Sequence, residues 1–226
     1  MHEILRLDAP TELTTAATDV LLAAVCIACA HYVRQRGEMP RMRPWQIGFT
    51  LFATGALLGA FAHALHIPAV LYRVVWAPIY LSLGLAVAFF LIGVVQDAAP
   101  ARVRTLRPVI LGLGIMSFLI AMLFPRAFFV FLAWQGAGLV VAISVYTTLW
   151  ARGSLPGAGW ITLGFLISMA AAAVQGTGTL SFTLIWPFDH NGVFHLVQLP
   201  GIAAIAYGLV QSGRHALVPT ARVQAQ

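Results

Sequence analysis

The chain has 226 residues, 60% of them hydrophobic and only 9% charged, and its mean hydropathy is +0.88. A soluble domain carries about 25% charged residues, so composition excludes an ordinary globular enzyme and points to an integral membrane protein with several spans. All 13 basic residues are arginine, and the pI of about 10.2 requires no nucleic-acid partner, because arginine loops facing anionic lipid headgroups account for it.

Long apolar runs without apolar/polar alternation argue for helices rather than a membrane barrel. Seven are predicted, at 14–33, 46–67, 71–95, 108–124, 127–150, 160–182 and 190–212. The expected fold is all-α, a single seven-helix transmembrane bundle over residues 1–213 followed by a short tail, 214–226. Connections are short, with turn chemistry at Arg36-Gly37, Ala99-Pro100 and Leu155-Pro156-Gly157.

Arginine sets the expected orientation. Arg34, Arg36, Arg41, Arg43, Arg102, Arg104, Arg107, Arg152, Arg214 and Arg222 fall on one side, and only Arg6, Arg73 and Arg126 on the other. The positive-inside rule then places the N-terminus outside and the C-terminus in the cytoplasm, in an inner (cytoplasmic) membrane of bacterial type. Glu3, Asp8 and Glu12 stand where a cleavable signal would carry basic residues, so the first helix is expected to insert directly. In that helix, Cys26-Ile-Ala-Cys29-Ala-His31 departs from a haem-attachment motif, which needs His directly after the second Cys. Two small buried thiols are expected there.

Polar residues concentrate in the outer halves of the helices. His63 and His66 close the second, in GAFAHALH, and His190 and His195 open the seventh, in DHNGVFH. At about 1.5 Å per residue, His63 lies about 7 Å inside Pro68 and His195 about 9 Å inside Asp189. Asp19, Gln135 and Gln175 occupy the same half, whereas the inner halves carry almost no ionisable group before the arginine loops. Ionisable groups at membrane depth are costly and face the bundle interior, so this one-sided placement predicts an outward-opening pocket. His63 and His66 are three apart and can share a helix face. His190 and His195 are five apart and cannot, but Asp189 is suited to cap the seventh helix, leaving His190 adjustable in the first turn. Each residue also has a plain structural reading: His66 and His190 as interfacial groups meeting water, Asp189 as a cap only, and the tryptophans as interface anchors.

Seven helices, an outside N-terminus and histidines on helices two and seven resemble the CREST superfamily, which holds alkaline ceramidases, adiponectin-receptor-type proteins and hemolysin-III-type proteins. That family's pattern is a Ser four residues before a His on helix two, an Asp on helix three, and HxxxH on helix seven. His63 falls at the helix-two His and His195 at the second His of helix seven. Gly59 stands where the family has Ser, Asn191 stands at the first His of HxxxH with His190 one residue earlier, and helix three offers no Asp, so Asp189 or Asp19 would have to substitute. The resemblance implies a zinc site and hydrolysis of lipid amides.

Zinc at a catalytic site takes three protein ligands and leaves a position for water. His63 and His195, with His190 or His66, offer the nitrogens. Asp189 is the candidate to orient or deprotonate the water and Asn191 to stabilise a developing oxyanion. The expected substrate is a lipid-like amide or ester near the outer face, with membrane lipids as partners. Two alternatives stand beside this: a haem-binding redox protein, since transmembrane histidines ligate haem, and a transporter or a proton- or metal-handling sensor with a histidine-rich pocket. The absence of lysine excludes a retinal Schiff base, and no phosphate loop or nucleophile elbow is present.

Overall fold

The computed structural model describes residue 5 and residues 9–36, 40–124 and 127–214. Arg6, Arg126, Arg222, Gly37 of the first turn and the tail beyond Arg214 lie outside them. Seven α-helices follow one another: α1 Pro10–Arg36, α2 Arg43–Ala64, α3 Ala69–Ala98, α4 Val103–Leu123, α5 Ala127–Ala151, α6 Ala158–Thr177 and α7 His190–Arg214. All seven are long and apolar enough to cross a membrane, so the chain is an integral multi-pass membrane protein with an all-α seven-helix fold. Helices satisfy every backbone group internally, which hydrocarbon requires.

Consecutive helices pack side by side, and α7 returns against α1 to close the bundle. Short connections make neighbours antiparallel. One end of the bundle therefore carries the α2–α3, α4–α5 and α6–α7 connections, and with them the histidines. The opposite end carries the α1–α2, α3–α4 and α5–α6 connections and most of the arginines. Helix α4 leans on α3 and α5 at the periphery. Only 11% of its most apolar window is buried, against 61% for α7.

Of the boundaries that differ from the sequence expectation, three matter to the site. Helix α1 begins at Pro10 rather than at residue 14, because proline is tolerated in a first turn, and this brings Glu12 into the helix. Helix α2 ends at Ala64, where Leu65 is extended (φ −111°, ψ 147°) ahead of Ile67-Pro68, whose geometry disfavours helix. His66 is therefore outside the helix and does not share a face with His63. Helix α6 stops at Thr177 rather than 182, capped by left-handed Gly178 (φ 65°). The apolar run beyond it forms a small antiparallel hairpin, β1 Phe182–Thr183 with β2 Pro187–Phe188, so this connection is longer than expected.

Lipid tails are as apolar as leucine, so helix association in a membrane rests on close packing and small residues. A Cβ added at Gly164 of α6 would lie 2.6 Å from the Gly201 carbonyl of α7, and one added at Gly208 would lie 2.7 Å from the Gly157 carbonyl. Backbones thus meet at two levels. Toward the arginine end the core is aromatic: fully buried Trp45, Phe49 and Tyr146, with Tyr146 stacked on Phe165 at 6.0 Å. Cys26 and Cys29 are buried free thiols in this core.

Candidate functional site at the histidine end

Helix α1 supplies most of the framework. Thr11, Thr14, Thr15, Thr18 and Asp19 recur at spacings of three and four, which puts them along one stripe of a helix. The Thr14 hydroxyl reaches the Pro187 carbonyl at 2.7 Å, and the Thr15 hydroxyl donates to Asp189 Oδ1 at 2.9 Å. Asp189 Oδ1 also accepts the backbone N–H groups of Asn191 (3.0 Å) and Gly192 (2.9 Å), the geometry of a helix N-cap. This aspartate fastens the start of α7 to α1.

One turn further along α7, His195 is 6% exposed, and Asp19 facing it is 4% exposed. His195 Nδ1 lies 3.0 Å from the Thr18 hydroxyl, whose oxygen lies 2.9 Å from the Thr15 carbonyl. A hydroxyl has one hydrogen. That hydrogen goes either to the carbonyl or to His195 Nδ1, according to which imidazole nitrogen carries the ring hydrogen. Across the ring, Nε2 lies 3.2 Å from Asp19 Oδ1. Asp19 and His195 form a buried carboxylate–imidazole pair.

His63 is arranged differently. Its Nδ1 lies 2.7 Å from Glu12 Oε2, so the carboxylate, which can only accept, receives Nδ1–H. Trp76 of α3 meets this imidazole edge to face at 5.5 Å, which holds the ring plane. Trp76 is therefore part of the site wall rather than only an interface anchor.

Both imidazoles line one cavity of about 480 Å³ at the histidine end, together with Glu12, Asp19, Gln175 and Tyr80. His66, His190 and Asn191 also line it. His66 is exposed and His190 half-buried. Asp189 is not among the lining residues and is occupied as a cap. All four histidines named from sequence thus border one space, as does Asn191. Among the described residues, however, no three His, Cys, Asp or Glu side chains are gathered closely enough to hold a metal ion.

Four contributors were not legible in the sequence reading: Glu12 as the partner of His63, Thr15 and Thr18 as the frame, and Asp19 as the partner of His195. The signal available was the threonine–aspartate stripe on α1. Gly59 explains how Asp19 fits, since a Cβ there would lie 2.9 Å from Asp19 Oδ2. The glycine leaves space that the carboxylate fills.

Behind the cavity lies a smaller chamber of about 50 Å³ that shares Phe52, Leu83 and Phe131 as walls with it. Gln135 and Gln198 line this chamber, and among the described residues the side-chain carbonyl oxygen of each has no hydrogen-bond partner. At the arginine end a third polar group is buried: Asp97, whose Oδ1 meets Arg41 Nε at 2.6 Å and whose Oδ2 accepts the Tyr146 hydroxyl at 2.7 Å. The inner half is thus not devoid of ionisable groups, because Asp97 at the end of α3 turns inward to meet Arg41.

No curated protein and no solved structure matches the chain. A family profile described as a family of unknown function (DUF6962) matches residues 14–214, which takes in all seven helices apart from the first turn of α1. The chain belongs to this family, DUF6962.

Proposed function

We propose that the protein is a membrane-embedded hydrolase that cleaves a lipid-like amide or ester near the outer face of the membrane. The observation that carries this reading is two imidazoles, each beside a carboxylate, bordering one cavity. In this reading His63, with Nδ1–H held by Glu12, takes a proton from water, and the Asp19–His195 pair carries the proton given to the leaving nitrogen or oxygen. Hydrolysis needs one group of each kind. Water adds to the carbonyl and loses a proton to His63; the C–N or C–O bond breaks as the leaving group takes a proton from the Asp19–His195 pair. Asn191 at the cavity wall is the candidate donor to the developing oxyanion.

The CREST resemblance supports the same chemistry and adds zinc. Its two main departures become one in this bundle: Gly59 replaces the family's Ser, and Asp19 from α1, rather than an aspartate of helix three, fills the space beside it. The donor chemistry suits zinc, since both Nδ1 atoms are engaged by protein oxygens and both Nε2 atoms are left for a ligand or proton. Among the described residues, however, no three His, Cys, Asp or Glu side chains are gathered closely enough to hold the ion, so the steps above run on His63 and the Asp19–His195 pair alone.

Two measurements test the reading. The purified protein, without a histidine tag, is screened for turnover of lipid amides and esters beside His63→Ala, His195→Ala and Asp19→Asn. Its zinc content is measured by mass spectrometry. Turnover lost in all three variants is expected; turnover unchanged in His63→Ala and His195→Ala sinks the hydrolase. Zinc near one per chain, lost in the double histidine variant, selects the metal-assisted form, and turnover without zinc selects acid–base catalysis alone.

A second reading, proton or small-ligand handling, is favoured by one observation, the carbonyl oxygens of Gln135 and Gln198 behind the cavity, unpartnered among the described residues. Polar groups reaching inward from the Asp19–His195 pair suit a pathway better than a surface reaction site. pH-dependent ligand binding without turnover would select it.

A further inference from the structure

A groove of about 620 Å³ runs between α1 and α2 at the arginine end, far from the histidine cavity. Helix α1 contributes Ala30, His31 and Arg34, and α2 contributes Arg43, Gln46 and Ile47, with Thr50 and Leu51 deeper. These positions recur at three and four on each helix, so each helix offers a single face to the groove.

The groove is graded in polarity. Helix α1 arrives at this end and α2 departs from it, so Arg34 and Arg43 both stand at the mouth. At about 1.5 Å per residue, Ala30 lies about 6 Å below Arg34 and Leu51 about 12 Å below Arg43. Cations thus sit above an apolar floor. Among the described residues no carboxylate lines the groove. Among the described residues no carboxylate forms an ion pair with Arg34 or Arg43, whereas Arg41, two positions before Arg43, is engaged by buried Asp97. The mouth holds further donors. Gln35 Nε2 lies 2.8 Å from His31 Nε2, so that ring nitrogen accepts and the other carries the ring hydrogen. Gln46 adds its amide.

We propose that this groove binds one anionic phospholipid, with the phosphate held by Arg34 and Arg43 and the acyl chain lying over Ile47 and Leu51. Guanidinium groups bind phosphate oxygens in pairs with charge-assisted hydrogen bonds, and basic pockets between transmembrane helices recognise anionic headgroups. The apolar floor favours a lipid over a free anion, because inorganic phosphate would meet only the mouth. The site is independent of any chemistry at the histidine end.

Native mass spectrometry of the detergent-released full chain tests it. The protein is offered phosphatidylglycerol, phosphatidylcholine with the same acyl chains, or inorganic phosphate. The wild type should retain one phosphatidylglycerol at least tenfold in preference to phosphatidylcholine, and excess inorganic phosphate should not displace it. Arg34→Gln/Arg43→Gln should lose the preference, Arg34→Lys/Arg43→Lys should keep part of it, and Arg102→Gln/Arg104→Gln, with the same charge change outside the groove, should keep all of it. If the double glutamine variant does not yield folded protein, Arg34→Gln alone should lower retention several-fold. Equal loss in the Arg34/Arg43 and Arg102/Arg104 pairs would reduce the effect to bulk attraction and overturn the site. Retention unchanged in Arg34→Gln/Arg43→Gln would overturn it directly, and displacement by inorganic phosphate would replace the lipid with a soluble anion.

Discussion

Gly59→Ala adds one methyl group and removes no polar atom, yet it strikes the centre of the proposed chemistry. Its Cβ would lie 2.9 Å from Asp19 Oδ2, 3.3 Å from Cγ and 3.4 Å from Oδ1. Ordinary carbon–oxygen contact begins near 3.4 Å, so Oδ2 must retreat by about half an ångström. Asp19 has little freedom to do so, because it is 4% exposed and its other oxygen is held 3.2 Å from His195 Nε2. Rotating the carboxylate away stretches a contact already at the long limit of a hydrogen bond. Overpacking costs about 1–3 kcal/mol, and loss of a buried hydrogen bond to an ionisable group about 1.5–3 kcal/mol more if the pair separates. For a chain of this size each kcal/mol lowers Tm by about 2–4 °C, so a fall of roughly 2–24 °C is expected in thermal unfolding, with at least a tenfold loss of turnover. Gly59→Ser, the residue the family resemblance places here, adds the same Cβ and should lose comparable stability. Gly112→Ala is the matched control: its added Cβ meets nothing within 4 Å, and helix propensity should raise stability by about 0.5–1 kcal/mol. The reasoning is refuted if Gly59→Ala unfolds at the temperature of Gly112→Ala and retains full turnover.

Asp19→Asn and Asp19→Ala should separate structure from chemistry. The asparagine amide can still donate to His195 Nε2, so its thermal stability should stay within about 1 kcal/mol of wild type while turnover falls about 10²–10⁴-fold; the alanine should lose about 1–3 kcal/mol as well, and equal turnover in wild type and Asp19→Asn would dismiss the pair as proton donor. Asp97→Ala leaves Arg41 facing a buried gap and removes the acceptor of Tyr146, at about 3–5 kcal/mol; an unfolding temperature unchanged from wild type would show that the pair is not structural. Asp189→Ala removes the cap of α7 and the link to Thr15, so denaturation should report a loss of about 1–2 kcal/mol, with Asp189→Asn recovering most of it. Gly164→Leu forces side-chain atoms against the Gly201 backbone and should prevent recovery of folded protein, because α6 and α7 cannot separate without opening the cavity; a well-behaved Gly164→Leu protein would show that this close approach is dispensable.

Sequence alone determined the architecture, because its physics is local. Runs of about 20 apolar residues must be helices in hydrocarbon, and the charged and turn residues between them fix where each run ends within a few positions. The boundary errors have local causes too: Pro10 allowed α1 to start early, and Leu180–Trp186 is as apolar as a span but leaves the helix at Gly178. The same logic found one end of the bundle rich in histidine, since alternation of antiparallel helices assigns every residue a side.

Which polar groups meet within that end was decided by helix packing order, which no single helix encodes. His63 and His195 were legible as candidates because they are ionisable at depth. Their partners were not, because Glu12 and Asp19 lie on α1, and nothing in the α1 sequence says that its threonine stripe faces α2 and α7 rather than lipid. The closing contact of α7 on α1 gives Asp19 to His195, and the packing of α2 on α1 gives Glu12 to His63. It also commits Asp189 to capping α7 and leaves His66, stranded by the early end of α2, at the rim of the cavity. A sequence determines each residue's depth and chemistry; the proton arrangement of the site depends on distances of about 3 Å between helices, and these exist only once the ring of helices closes.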